Sequence, residues 1–221
     1  MPAPVWYGLA AVRIVVCDVG LGNLRSVERA LLEATRMRAD RVEVTRDPAR
    51  VAAADKLVMP GQGGFGDCAR ALAGDLGQAV VAHIGAERPY LGICLGLQVL
   101  FRSSDEASGC AGLGVLEGTV VRLAGGADTS TGAALKIPHV GWNTATPTAA
   151  GARTIIGDSA HYYFTHSFVV VPGDPQLVAA TTDYGETFVS AVARGNLFAC
   201  QFHPEKSQRA GLSLIERFVA S

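Results

Sequence analysis

One cysteine has the surroundings of a nucleophile. Cys94 is the centre of the run Gly92-Ile93-Cys94-Leu95-Gly96, between an apolar segment and a helical pattern. A sharp strand-to-helix turn needs small neighbours, because its central residue is held in a strained backbone conformation. Such a turn lifts the sulfur out of a sheet and sets it at a helix N-terminus, where free N–H groups favour the thiolate. The run predicts a reactive thiol, although a packing cysteine between two glycines is equally compatible with it.

A histidine and a carboxylate that could serve this thiol follow about a hundred residues later, in His203-Pro204-Glu205. In an extended segment, residues i and i+2 point the same way. Glu205 would then orient the imidazole, while His203 takes and returns protons at the sulfur and at the leaving nitrogen. Alone, these three residues are typical of any strand end before a helix. Together with the Cys94 run they predict a Cys-His-Glu triad.

The runs GICLGLQ and QFHPEKS, which contain Cys94 and His203, resemble the class I glutamine amidotransferases. The resemblance implies Cys94 as nucleophile, His203 as general base and acid, and Glu205 as the orienting carboxylate. It also implies the reaction: the amide of glutamine acylates Cys94, ammonia leaves, and water hydrolyses the thioester.

Four further motifs are similar to those of one branch of that family, the glutaminase subunits of imidazole glycerol phosphate synthase. They are DVGLGNLRSV from Asp18, PGQGGFGD from Pro60, PHVGWN from Pro138 and YFTHSF from Tyr163. The resemblance implies a heterodimer with a cyclase subunit of (β/α)₈ fold. That subunit would use the ammonia to form imidazole glycerol phosphate and AICAR in histidine biosynthesis.

A tetrahedral intermediate at Cys94 needs two N–H donors for its oxyanion. The N–H of Leu95 is one candidate, and a peptide near Gly61 and Gln62 is the other. A peptide plane in the glycine-rich run after Pro60 could rotate easily. A partner could then complete the oxyanion hole by rotating this peptide. Gln62 stands where valine is common in the family.

The same resemblance assigns substrate and partner contacts. Gln98 lies one helical turn after Cys94 and would face the same side. With the 165–168 segment it would hold the α-amino and carboxylate groups of glutamine; the residues of that segment are Thr165, His166, Ser167 and Phe168. Phe168 replaces a tyrosine common here. Predicted partner contacts are Asn23, Arg25, Trp142 and Asn143, the last two in a loop, since an exposed Trp suits an interface anchor.

The elements that position these residues alternate between strands and helices in the first half, which predicts a parallel sheet covered on both faces. The second half is richer in strands, so the fold class is α/β: one domain with a mixed, largely parallel sheet flanked by helices, flavodoxin-like. The predictions tested below are a strand over 56–59 stopped by Pro60-Gly61, helices over 67–84 and 95–102, one strand over 162–171 and a loop over 124–134. Residues 1–11 are interpreted as an extension and 12–221 as the amidotransferase domain.

Composition narrows the class of protein. The chain has 221 residues, 49% of them hydrophobic, and a net charge of −1, which offers no basic surface for nucleic acid. We expect no signal peptide, no membrane span, no metal and no cofactor. The five widely spaced cysteines indicate reduced thiols and hence a cytoplasmic protein.

Three other functions compete with this interpretation. One is a glutaminase for another synthase, such as anthranilate or pyridoxal phosphate synthesis, which PHVGWN and GNLRS disfavour. A free-standing cysteine hydrolase, such as a γ-glutamyl peptidase, would be active without a partner. A non-catalytic regulatory subunit would be expected to have lost one of the three triad residues.

Overall fold

The computed structural model describes residues 11–127 and 132–221. The strands are β1 (Arg13–Cys17), β2 (Arg41–Thr45), β3 (Lys56–Gly61), β4 (Tyr90–Cys94), β5 (Phe101–Ser104), β6 (Leu116–Arg122), β7 (His139–Pro147), β8 (Ala160–His166), β9 (Phe168–Pro172), β10 (Val178–Asp183), β11 (Thr187–Arg194) and β12 (Leu197–Cys200). The α-helices are α1 (Leu24–Ala34), α2 (Pro48–Ala52), α3 (Phe65–Ala71), α4 (Asp75–Gly85), α5 (Leu95–Gln98) and α6 (Gln208–Ala220).

The main sheet runs in the order β2-β1-β3-β4-β12-β11-β10-β7-β8. Its first five strands are parallel to one another, and the remaining neighbours pair antiparallel. Helices α1 to α4 connect the parallel strands β1, β2, β3 and β4, whereas β7 to β11 follow one another with only short 3₁₀ turns between them. The predicted mixed α/β sheet flanked by helices is confirmed.

Alternate residues of the parallel strands pack against helices on opposite faces of the sheet. On β3, Leu57 and Met59 join the core cluster that also contains Phe65 and Val80 of α3 and α4. Val58 joins the opposite cluster, which includes Leu31 of α1. Because both faces are covered, these strands are apolar throughout, as buried parallel strands must be.

The carboxyl ends of the parallel strands converge on one edge. Cys94 ends β4, Gly61 ends β3, and β12 leads into His203. In open α/β sheets this edge is where ligands bind, so the topology alone brings the two halves of the predicted triad together.

Two predicted boundaries near Cys94 are wrong. Pro60 and Gly61 do not stop β3 but belong to it, pairing with Ile93 and Cys94 of β4. The helix after Cys94 ends at Gln98, and Phe101–Ser104 instead forms β5, which pairs with β6. The apolar run after Gln98 fits either state, and sheet pairing decides it.

Three further boundaries differ from prediction. The helix over 67–84 is two helices, α3 and α4, separated at Gly74, whose φ of 104° no helix accommodates. The strand over 162–171 is two strands, β8 and β9, which are separated at Ser167. β8 pairs with β7, whereas β9 pairs with β6. Trp142 and Asn143 are in β7, not in a loop.

The remaining predictions of organisation lie partly outside the described residues. Residues 1–10 of the predicted extension and residues 128–131 of the predicted loop lie outside the described residues. Ala127 and Ala134, on either side of residues 128–131, form an isolated antiparallel bridge. Among the described helices, none is long and apolar enough to cross a membrane.

Candidate active site

Cys94 is at a strained turn between β4 and α5. Its φ of 54° and ψ of −105° fall outside the regions that a residue with a side chain prefers. The turn closes only because glycines flank it. A Cβ on Gly96 would lie 1.8 Å from the Met59 carbonyl oxygen, and one on Gly92 would lie 2.5 Å from the Gly96 carbonyl oxygen. The two glycines that the sequence singles out are therefore required by close backbone contact.

His203 and Glu205 form a buried pair. The Nδ1 of His203 and Oε1 of Glu205 are 2.8 Å apart, and each side chain is 2% exposed. The prediction of an extended segment is wrong beyond His203, because Pro204–Lys206 is a 3₁₀ turn. The turn forms because Pro204 suits a first helical position and the Ser207 hydroxyl donates to the His203 carbonyl. The imidazole and carboxylate meet across this turn.

The other ring nitrogen of His203 is available for chemistry. Nε2 is buried and has no hydrogen-bond partner among the described residues. Burial lowers the pKa of the imidazole, but interactions with Cys94 and Glu205 outweigh burial and raise the pKa to about 9. At neutral pH this imidazole therefore carries a proton beside the Cys94 sulfur. The arrangement can donate a proton to a leaving group at the sulfur.

An open cavity of about 420 Å³ adjoins the sulfur. It is lined by Gln62, Gly63, Cys94, Leu95, Gln98, Glu106, Pro138, Tyr163, Thr165, His166, Ser167, Phe168 and Lys206. The structure thus brings the five predicted substrate residues to one cavity beside the predicted nucleophile. His203 and Glu205 are behind the cavity wall, which suits groups that act on the sulfur.

The predicted oxyanion donors flank Cys94. Gly61 is the register partner of Cys94 in the β3–β4 pair, so the Gly61–Gln62 peptide follows directly beside the nucleophile. Leu95 is the first residue of α5, where backbone N–H groups have no partner within the helix. Gln62 and Leu95 both line the cavity.

Gln98 is buried and committed to two hydrogen bonds. Its amide nitrogen donates to the Phe168 carbonyl at 3.1 Å and to Oε1 of Gln201 at 3.1 Å. Gln201 in turn donates from Nε2 to the Cys94 sulfur at 3.5 Å. Gln201 is a site residue that the sequence reasoning missed, although it is the first residue of the QFHPEKS run.

His166 is a neutral histidine in the cavity wall. Burial lowers its pKa to about 3, with a further contribution from His139. Both ring nitrogens are engaged, Nδ1 with the Phe168 carbonyl at 3.0 Å and Nε2 with His139 at 3.1 Å. His166 therefore offers the cavity no charge, and its hydrogen bonds shape the 165–168 segment instead.

Two charged side chains in the cavity lining were also missed. Glu106 accepts a hydrogen bond from the Phe65 N–H at 2.8 Å and faces the cavity. Lys206, next to the triad, faces it as well and lies 5.7 Å from the Tyr163 ring. A carboxylate and an ammonium suit the two charged ends of an amino acid. For Lys206 the HPEK run was a visible signal; for Glu106 no local pattern existed.

The predicted partner contacts are near the same edge but make few contacts of their own. Asn23 is exposed and caps α1 by accepting from the Ser26 N–H. Arg25 is exposed, and Trp142 is 48% exposed with its ring at 6.2 Å from that of Tyr163. Asn143 is half-buried and donates to the Asp183 carbonyl. Within the described residues, no group of three or more potential ligands is arranged to hold a metal ion.

The strained turn at Cys94, the buried His203–Glu205 pair and an α/β sheet covered on both faces are the arrangement expected of a class I glutamine amidotransferase. The chain belongs to the class I glutamine amidotransferase family, whose model matches residues 15–221. A solved glutamine amidotransferase from Thermotoga maritima shares the fold, with a TM-score of 0.60, 17% identity and coverage of 96% of this chain and 84% of that one.

Within the family, the chain is similar to proteins named imidazole glycerol phosphate synthase subunit HisH. It is 46% identical to that of Syntrophotalea carbinolica, over 93% of this chain and 98% of the relative. The relative from Rhodopirellula baltica is 45% identical over 94% and 97%. Identity at this level over nearly both full lengths places the chain in the HisH family.

Proposed function

We propose that Cys94, His203 and Glu205 are the catalytic triad of this glutamine amidotransferase, and that the ammonia goes to a cyclase partner. The chain is a glutaminase subunit of imidazole glycerol phosphate synthase. The observation that carries the site assignment is the pairing of a strained Cys94 elbow with a buried imidazole whose pKa is raised to about 9.

Acylation follows from this geometry. The Cys94 sulfur attacks the amide carbon of glutamine, and the oxyanion accepts hydrogen bonds from the Leu95 N–H and from the Gly61–Gln62 peptide. The His203 imidazolium gives its proton to the amide nitrogen, the C–N bond breaks, and ammonia leaves. Glu205 stabilises the imidazolium and keeps Nε2 directed at the reacting atoms.

Deacylation reverses the proton flow. Water attacks the glutamyl thioester, neutral His203 takes a proton from the water, and the C–S bond breaks with glutamate as product. The imidazolium and thiolate are then restored for the next cycle.

The cavity composition supports glutamine as the substrate. Gln98, Thr165, Ser167 and Phe168 supply polar and backbone groups around the substrate's amino-acid end, and Glu106 and Lys206 add one charge of each sign. His166 contributes through the carbonyl of Phe168, because neither of its ring nitrogens is free.

A partner is required because ammonia in bulk water becomes protonated and is lost as a nucleophile. We place the cyclase, a (β/α)₈ subunit, against Asn23, Arg25, Trp142 and Asn143. Support comes from Gly22, beside Asn23: a Cβ there would lie 3.1 Å from the Gln62 backbone nitrogen. A partner that presses on this loop would therefore act directly on the candidate oxyanion peptide.

We also infer one amidotransferase domain over residues 12–221, because β1 to β12 belong to one connected sheet. All five cysteines are free thiols, which supports a reducing compartment such as the cytoplasm.

The test is glutamate release from glutamine by the purified chain, alone and with the cyclase subunit plus its nucleotide substrate. Slow release alone, strong stimulation in the complex and loss of both in Cys94→Ala would support the whole proposal. Equal rates with and without the cyclase would contradict the coupling and favour a free-standing hydrolase. Activity that survives Cys94→Ala would overturn the triad.

A further inference from the structure

Two buried histidines outside the triad connect strand β7 with the surroundings of the nucleophile. His139 on β7 and His166 on β8 face each other across the antiparallel pair. Nδ1 of His139 is 3.1 Å from Nε2 of His166, and Nδ1 of His166 is 3.0 Å from the Phe168 carbonyl oxygen. At the far end, Nε2 of His139 is 3.4 Å from the amide nitrogen of Asn143.

Only one arrangement of protons satisfies these contacts when both rings are neutral. A carbonyl oxygen can only accept, so His166 carries its proton on Nδ1 and accepts at Nε2. His139 must then donate from Nδ1 and accept at Nε2, from the Asn143 amide nitrogen, which can only donate. Burial keeps both rings neutral by lowering the pKa of His139 to about 4 and that of His166 to about 3.

The same reasoning fixes the two glutamines beyond Phe168. The Gln98 amide nitrogen uses one proton for the Phe168 carbonyl and the other for Oε1 of Gln201. Oε1 of Gln201 must therefore face Gln98, which turns the Gln201 NH₂ group to the Cys94 sulfur. An amide can be reversed about its last bond, but here its neighbours select one orientation.

The mechanism given above leaves His139 without a task. Its side chain touches neither the cavity nor the triad, and it is 2% exposed, stacked on Tyr184 at 3.9 Å and on Phe164 at 4.9 Å. A ring needed only for packing could be phenylalanine. An imidazole at this site instead donates to His166, whose acceptor nitrogen would otherwise be buried and unpaired.

We propose that His139 is a positioning residue of the glutaminase: through His166, the Phe168 carbonyl, Gln98 and Gln201 it sets the hydrogen bond that the Cys94 sulfur receives. This proposal rests on the catalytic role proposed for Cys94. Its consequence is that a side chain on the strand carrying Trp142 governs the geometry at the nucleophile.

The test compares two substitutions at His139 by steady-state kinetics and urea denaturation of the same preparations. His139→Phe keeps the ring stack and removes the donor. His139→Asn loses the stack but keeps an N–H donor on the atom that corresponds to Nδ1. We expect kcat of His139→Phe to fall about tenfold, the equivalent of one buried hydrogen bond, with a smaller change in KM.

The relative stability and activity of the two variants distinguish a positioning role of His139 from a packing role. If His139 positions, the Asn variant is the less stable protein and the more active one. If it only packs, activity follows stability, and the Phe variant is the better enzyme. That second order, or wild-type kcat in both variants, would overturn the proposal.

A double-mutant cycle with Gln201→Met tests the same series of hydrogen bonds from the end next to Cys94. His139 and Gln201 share no hydrogen bond, so independent roles would make their effects on kcat multiply. We expect the double variant to lose at least threefold less activity than the product of the single losses. If the kcat losses of the two single variants multiply in the double variant, the two residues do not act through one series of hydrogen bonds.

Two conditions keep these results interpretable. If His139→Phe does not fold, His139→Met takes its place in the cycle, since it also removes the donor to His166. A wild-type chain that is inactive even with the cyclase and its nucleotide substrate would refute the proposed glutaminase itself, whereas an active wild-type complex with unaffected His139 variants would refute only the positioning role.

Discussion

Cys94 and His203 are each held by neighbours in a state that the free side chain would avoid. The φ of 54° at Cys94 is tolerated because glycines at 92 and 96 let three backbone segments meet. The raised pKa of His203 exists because a buried imidazole is close to Cys94 and Glu205 at once. The strained backbone at Cys94 is unfavourable for stability by itself, whereas the raised pKa of His203 is not; strained backbone and shifted pKa values are both typical of sites built for chemistry.

The strained turn at Cys94 predicts that alanine substitutions at two different glycines have different effects on the stability of the protein. Gly96→Ala should destabilise the protein by about 3 kcal/mol or more, because its Cβ would overlap the Met59 carbonyl and the backbone must move. Gly85→Ala, at the end of α4 with nothing within 4 Å of a Cβ, should be neutral or slightly stabilising. Urea unfolding midpoints measure both. Equal stability of the two variants would show that the elbow is not tightly packed.

The raised pKa of the His203 imidazole predicts that the stability of the protein depends on pH. The folded pKa of about 9 lies above the ordinary 6.5 of the unfolded chain. Stabilisation from protonated His203 is therefore complete below pH 6.5 and is lost as the pH rises towards 9. Between these limits the wild type should lose about 2 kcal/mol more than His203→Gln. Unfolding free energies of both proteins at pH 6.5 and 9 measure the difference, and parallel curves would contradict the raised pKa.

At the scale of elements, Lys56 joins the start of β3 to the end of α6. Its ammonium is buried and donates to the carbonyl oxygens of Phe218, Val219 and Ser221. These are carbonyls that the helix leaves without partners, at the end where a positive charge is favourable. Burial lowers the pKa of the lysine, and the charge of Arg38 lowers it further.

We expect Lys56→Met to destabilise the protein by about 2 kcal/mol, since three carbonyls lose a charged donor. Lys136→Met, at an exposed position, is the matched control and should have no effect. Thermal or urea unfolding distinguishes the two variants. A Lys56→Met protein as stable as wild type would show that water replaces the ammonium as the donor to these carbonyl oxygens.

At the scale of the whole molecule, the carboxyl edge of the sheet carries the proposed nucleophile, the cavity and the proposed partner surface. Trp142 is the large aromatic side chain exposed there, on β7, which also carries His139. Aromatic side chains of this kind contribute most of the affinity in protein interfaces. The glutaminase and its partner would therefore meet close to where ammonia is released.

This predicts that Trp142→Ala weakens binding of the cyclase at least about tenfold. Met37→Ala removes an apolar side chain that is even more exposed, at 87% against 48% for Trp142, but lies outside the proposed interface, and it should leave the affinity unchanged. Titration calorimetry with the cyclase measures both, with glutamine hydrolysis at saturating cyclase as a check on the site. Wild-type affinity in Trp142→Ala would move the interface elsewhere.

Local chemistry in the sequence determined the candidate nucleophile, the class of fold and the family. A cysteine between two glycines, at the end of an apolar run, has few physical explanations, and a His-Pro-Glu turn needs no distant residues to form its pair. The one-turn helix α2 could also have been found, because Asp47 caps it and Pro48 begins it.

Only the tertiary structure decided which elements the ambiguous runs adopt and which polar groups meet. The segment after Gln98 becomes β5, and Trp142 lies in β7, because long-range pairing overrides weak local preference. The roles of Glu106, Gln201 and His139 depend on contacts between residues far apart in the chain. A sequence specifies such groups one at a time, whereas the direction of each hydrogen bond exists only once its neighbours are in place.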